Sequence, residues 1–137
     1  YEQQENGKVV FDGIVALAKA CLAAGIPVGL GTDTGCPFIT HYDMWRELCY
    51  FVKFCDVTPD FALYSATLLN ARLAGIDHLT GSVEKGKAAD LIVCEKNPLE
   101  DLTALRKLDM VIKDGWRIDR PAVKKMPQVE RELDKFL

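Results

Sequence analysis

Ala24-Gly25-Ile26-Pro27-Val28-Gly29-Leu30-Gly31-Thr32-Asp33-Thr34-Gly35 is the stretch that decides how this chain is read. Just upstream, Ile14, Leu17, Ala18 and Cys21 recur at helical spacing, which predicts a helix over 11–24. Gly25 suits the position past a helix end, and Pro27 prevents continuation. Val28 to Gly31 then reads as a short apolar strand stopping at a polar tip, Thr32 to Gly35. Helix, glycine, apolar strand and polar tip together make an αβ unit of a parallel α/β protein.

Working outward, residues 1–8 are polar and read as a frayed or truncated start. Residues 34–42 form a loop containing Gly35 and Pro37. Met44, Leu48, Val52 and Cys55 recur near every fourth position, predicting a second helix over 43–54. Thr58-Pro59 opens a third, since Thr caps well and Pro suits the first helical position. A fourth, short helix over 69–74 ends at Gly75. From Gly81 the character changes. Residues 90–95 read as a strand, Asn97-Pro98 breaks it, and 102–105 forms one helical turn. Residues 110–113 and 116–118 flank Asp114-Gly115, a strong two-residue hairpin signal. Residues 128–136 read as a charged, exposed terminal helix.

The 137 residues are 49% apolar and 27% charged, which excludes a disordered chain, a collagen-like repeat and a simple coiled coil. Seventeen basic against twenty acidic residues give a net charge of -3, without the footprint of a nucleic-acid binder. No apolar run approaches the roughly 18 residues that cross a bilayer, and no signal-peptide pattern opens the chain. The five cysteines lack CxxC spacing. Cys21, Cys49, Cys55 and Cys94 fall on apolar-pattern positions, as buried thiols of a cytoplasmic protein do. Two histidines, His41 and His78, are too few for a His-rich metal site.

Asp33 is the most informative residue. It follows a predicted parallel strand, the place where α/β folds put reactive side chains. A carboxylate there can bind a cation and accept a proton from water. It can equally cap the following turn. His41 reads as a substrate contact or a surface turn residue, and Cys36 as a thiolate ligand or a packing residue. Arg46 and Glu47 fall on the solvated face of their helix, with Arg46 able to hold a carboxylate. Lys85-Gly86-Lys87 reads as a charged turn, lacking the glycine spacing of a phosphate loop.

Four further stretches follow the first in order: Thr67-Leu68-Leu69-Asn70-Ala71 with Ala74-Gly75, Gly81-Ser82-Val83-Glu84-Lys85-Gly86-Lys87-Ala88-Ala89-Asp90-Leu91-Ile92-Val93, Asn97-Pro98-Leu99, and Val111-Ile112-Lys113-Asp114-Gly115. Together, over roughly residues 10–118, the chain resembles the C-terminal part of the metal-dependent amidohydrolases, in their imidazolonepropionase-like and prolidase-like branch. The resemblance implies an α/β fold: the end of a (β/α)8 barrel over 1–80, strands of a small β-sandwich over 81–120, and a helical tail over 121–137. It implies that Asp33 is the aspartate ending the eighth strand, a metal ligand that helps deprotonate the attacking water. Zinc and hydrolysis of an amide or related C–N bond, in a small amide or dipeptide-like substrate, come with it. Cys36 and His41 then stand as substrate-binding candidates beside Asp33.

The family's remaining ligands have no match here: a His-x-His pair, a bridging Lys or Glu, and two later histidines. A complete barrel takes about 250 residues. The sequence therefore reads as a C-terminal fragment, catalytically silent and metal-poor by itself. Its barrel strand would have open edges, so self-association or pairing with an N-terminal half is expected. Two other readings stand beside this one: a non-catalytic interaction module, and an unrelated α/β domain in which Asp33 is only a cap.

Overall fold

The computed structural model describes residues 2–37 and 39–137. Helix α1 (Glu2–Ala23) is continuous from Glu2, so residues 2–8 are helical rather than frayed. Lys8 and Asp12, one turn apart, pair along it. At its end Gly25 takes φ +72, Ile26 N–H donates to the Cys21 carbonyl at 2.9 Å, and Gly25 N–H donates to that of Leu22 at 3.0 Å. That pair of bonds is the glycine-terminated helix end expected from Gly25.

The chain from Val28 to Gly31 forms no strand ladder, and among the described residues there is no parallel sheet. The predicted αβ unit is thus present as its helix and an unpaired segment. A strand exists only through partners along its edges, and here the segment lies between helices. Val28 and Leu30 pack on a core of Leu48, Phe51, Ala62 and Leu102.

Helix α2 (Met44–Cys55) buries Trp45, Leu48 and Phe51. Arg46 is also buried, 2% exposed, and Glu47 is half-buried, so neither lies on a solvated face as the pattern suggested. Helix α3 (Pro59–Tyr64) starts as predicted: the Thr58 hydroxyl accepts from Phe61 N–H at 3.4 Å, with Pro59 in the first turn. The predicted third and fourth helices are one. Helix α3 continues through a π turn (Ser65–Leu69) into α4 (Asn70–Leu73). No breaker separates them, and the helix stops only at Gly75, φ +71.

Beyond residue 90 lies a three-stranded antiparallel sheet, β1 (Leu91–Cys94), β2 (Leu108–Lys113) and β3 (Trp116–Asp119), in that spatial order. Leu91 faces Ile112 and Lys113 faces Trp116. Asp114 at φ 50 and Gly115 at φ 82 make the tight hairpin, since both central residues of this turn need positive φ. A short 3-10 helix (Leu102–Arg106) supplies Leu102 to the core. The tail ends in α5 (Pro127–Leu133) and a 3-10 turn (Asp134–Phe136). It is not wholly exposed, because Glu130 is buried against Arg46. Among the described residues no helix is long and apolar enough to cross a membrane.

Asp90 ties the predicted turn region to the hairpin. One of its oxygens accepts from Asp114 N–H at 2.9 Å and Lys113 Nζ at 3.0 Å, and the other from Thr80 Oγ1 at 3.2 Å. The Asp114 amide first, then the Lys113 ammonium, hold this carboxyl below the usual carboxylate range. A carboxyl with a depressed folded pKa lends stability that is present above its unfolded pKa and lost as pH falls through the folded one. Asp90→Asn is therefore expected to lower the urea midpoint at neutral pH. The difference from the parent chain should vanish well below pH ~4, where the unfolded carboxyl and then the folded one are protonated. An unchanged midpoint at neutral pH would contradict this.

Candidate functional site

Asp33 stands where the Val28–Gly31 segment turns into the loop leading to α2. It takes φ 50 and is exposed. A left-handed aspartate is tolerated because its short side chain can bond locally. The local contacts are polar. Cys36 Sγ donates to Asp33 Oδ2 at 3.8 Å, and the Thr32 and Thr34 hydroxyls share a bond of 2.6 Å. Cys36 is exposed, which removes the packing reading, and it is a free thiol. Cys21, Cys49, Cys55 and Cys94 are half-buried free thiols. Desolvation pushes the Cys49 and Cys55 thiols up, away from the thiolate that nucleophilic chemistry requires.

His41 does not join this pair. It is exposed, and its ring meets Tyr42 edge-on at 5.3 Å, at the end of the loop anchored on α2. That anchor is Asp43, which accepts from Thr40 Oγ1 at 2.6 Å and from Trp45 Nε1 at 3.1 Å. The structure thus brings Asp33 and Cys36 together and leaves His41 with Tyr42.

The segment before Asp33 is held by a residue with no role assigned from the sequence. Asn70 Oδ1 accepts from Leu30 N–H at 3.0 Å, while Asn70 Nδ2 donates to the Leu30 carbonyl at 2.8 Å. One primary amide thus does for Leu30 what a neighbouring strand does in a sheet. Gly29 makes the approach possible, because a Cβ there would lie 2.3 Å from Asn70 Oδ1 and 2.9 Å from Leu73 Cδ1. The signal was available: an asparagine between Leu69 and Ala71 on a buried helix face has to find a partner.

Gly31 itself borders a groove of about 300 Å³ that is also lined by Phe11, Ile14, Val28, Phe54 and Glu47. Desolvation there pushes the Glu47 carboxyl up. Asp33 supplies a single carboxylate. Among the described residues no three His, Cys, Asp or Glu side chains gather as a metal ion requires. These residues alone do not fit a metal centre.

Comparison with known proteins follows the same lines. The sequence profile of the amidohydrolase family matches residues 6–117. An imidazolonepropionase of Shouchella clausii is 32% identical over 111 residues, covering 73% of this chain and 23% of its own length. A crystal structure of a Bifidobacterium longum protein named as a prolidase is 43% identical and superimposes with a TM-score of 0.92, covering 97% of this chain and 33% of that one. A Xaa-Pro dipeptidase, solved with methionine bound in its active site, is 36% identical with a TM-score of 0.71 over 77% of this chain and 25% of its own. The chain spans a quarter to a third of the length of these proteins.

Asn70→Ala leaves the amide and carbonyl of Leu30 without their partner. It is expected to destabilise the chain by about 1–3 kcal/mol in urea denaturation, the range for an orphaned buried polar group. Exchange of the Leu30 amide should accelerate more than that of the β1–β2 ladder. Equal acceleration of both would show that Asn70 holds nothing specific at Leu30.

Proposed function

Because the chain belongs to the amidohydrolase family, in the branch of the imidazolonepropionases and prolidases, we propose that the protein it forms part of hydrolyses a C–N bond in a small amide or dipeptide-like substrate. The observation that carries this reading is the placement of Asp33. It lies inside the matched segment, beyond a backbone pinned at Leu30, with its carboxylate exposed at the start of an open loop. There it takes a proton from the attacking water and returns it to the leaving nitrogen. Cys36 lies within reach of the same carboxylate and borders the substrate. His41 lines the far side of the loop. In this reading residues 1–80 close a (β/α)8 barrel, and the sheet from 81 to 120 belongs to a small sandwich. Zinc is the metal the family implies, and its other ligands come from the part of the relatives' length that this chain does not span. The 137 residues alone are inactive and bind little metal.

One measurement tests the reading. In the complete polypeptide, Asp33→Asn is expected to lower kcat by about 10²–10⁴ with little change in KM, as loss of an acid–base group does. Turnover within a few-fold of the parent would overturn the role given to Asp33.

A second reading, an interaction module, is favoured by surface. The chain exposes 9722 Å², against about 7,100 Å² for a compact monomer of this mass. Helix α1 contributes Val9, Ile14 and Leu17, each more than 60% exposed. This excess belongs in contact with the remainder of the barrel or a second copy. Sedimentation of the 137-residue chain at micromolar concentration should therefore show self-association, and a compact monomer would count against it.

A further inference from the structure

Three segments distant in sequence meet around the Arg46 guanidinium. Its Nε lies 3.5 Å from Asp43 Oδ2, its Nη2 3.2 Å from Glu130 Oε2 and its Nη1 2.8 Å from Asp134 Oδ1. Arg106 Nη2 reaches the same two tail carboxylates at 3.1 and 3.0 Å. The Arg46 and Arg106 guanidiniums lie 4.5 and 5.3 Å from the Trp45 ring. A single oxygen of Asp43, Oδ2, both pairs with Arg46 and accepts from Thr40 Oγ1 at the end of the loop that begins at Asp33, while Oδ1 accepts from Trp45 Nε1. A second tie runs from Met126 N–H to Tyr42 Oη at 2.9 Å.

The burial makes this arrangement directional. Arg46 is 2% exposed, so its charge has to be met by protein carboxylates. Asp43 alone touches only Nε. The two outer nitrogens are held by Glu130 and Asp134, and these fix how far the guanidinium sits from Asp43. Removing the tail charges therefore leaves the guanidinium free to turn toward Asp43 and draw it off Thr40.

We infer that the tail over 126–134 is a positioning strap for the loop that carries Asp33. Glu130 and Asp134 set Arg46, Arg46 sets Asp43, and Asp43 with Tyr42 sets the end of the loop. These are positioning residues acting through one another. The consequence for catalysis rests on the reading of Asp33 above, whereas the coupling of tail to loop does not.

Amide exchange on the 137-residue chain reads that coupling without turnover. The loop reports through Ile39 N–H, bonded to the Cys36 carbonyl at 3.1 Å, and Asp43 N–H, bonded to that of Thr40 at 3.3 Å. Alkylation of the exposed Cys36, resolved by peptide mass, is a second reporter. The double variant Glu130→Gln, Asp134→Asn is expected to speed both amides about tenfold and to change the Cys36 rate, with the β1–β2 ladder unchanged. Wild-type rates at Ile39, Asp43 and Cys36 would overturn the inference. Should the double variant loosen the whole chain, Tyr42→Phe decides, since it removes one hydrogen bond at a half-buried ring. Loop amides accelerating ahead of the ladder support the strap; a uniform or absent change refutes it. Asp33→Asn is the control for the two amide reporters only, since Asp33 contacts Cys36; it should leave the Ile39 and Asp43 exchange rates alone, so failure of the catalytic reading stays separate.

Discussion

A single side-chain amide lets an unpaired length of backbone run through the packed half of this chain. Between α1 and α2 the chain needs partners for its peptide groups, and among the described residues no neighbouring strand supplies them. Asn70 supplies both a donor and an acceptor to Leu30 from the last turns of the long helix. That contact sets the distance between the helix and the segment, and Gly29 is required because any Cβ would collide with the amide. Asp33 lies three residues further on. Its position at the mouth of the loop is thus inherited from a hydrogen-bonded pair that does no chemistry.

A similar logic explains the second half. Gly81, at φ +94, brings its Cα so close to the long helix that a Cβ would lie 2.6 Å from that of Ala71. The chain then returns through the Gly86 turn to Asp90, whose carboxylate is shared between Thr80 and the hairpin tip. Ala89 accepts from Gly115 N–H at 3.1 Å beside it. The Gly-Lys-Ala-Ala-Asp stretch and the Asp-Gly hairpin are therefore two halves of one contact.

How much was legible depends on whether the signal was local. The helix ends at Gly25 and Gly75, the Thr58-Pro59 start and the Asp114-Gly115 turn are encoded by residues within a few positions, and all four lie where the sequence placed them. The segment over 28–31 carries no ladder because a strand is a relation between segments, and among the described residues its partner is Asn70. The burial of Arg46 was hidden for the same reason, although its capacity to hold a carboxylate was legible. A helical wheel puts a charged residue toward water, yet Glu130 and Asp134, more than eighty residues away, provide the charge that lets it be buried. Cys36 failed differently: with Gly35 and Pro37 around it, the loop follows no period from which exposure can be read.

This division bears on what the family resemblance can carry. Most of the matching residues discussed here, Gly29, Asn70, Gly81, Asp90 and the hairpin, hold the fold. Asp33 alone among them offers an unengaged reactive group beyond a hydrogen bond to a thiol. Such a pattern identifies the family with few chemical residues because the packing contacts are mutually dependent: altering Gly29 disturbs Asn70, and altering Asp90 disturbs the turn. The loop between Asp33 and Asp43 has no such mutual support: its glycine, proline and thiol are exposed, while hydrogen bonds at Leu30 and Asp43 hold its two ends. The fold is held by contacts that depend on one another, and the Asp33 carboxylate stands outside them.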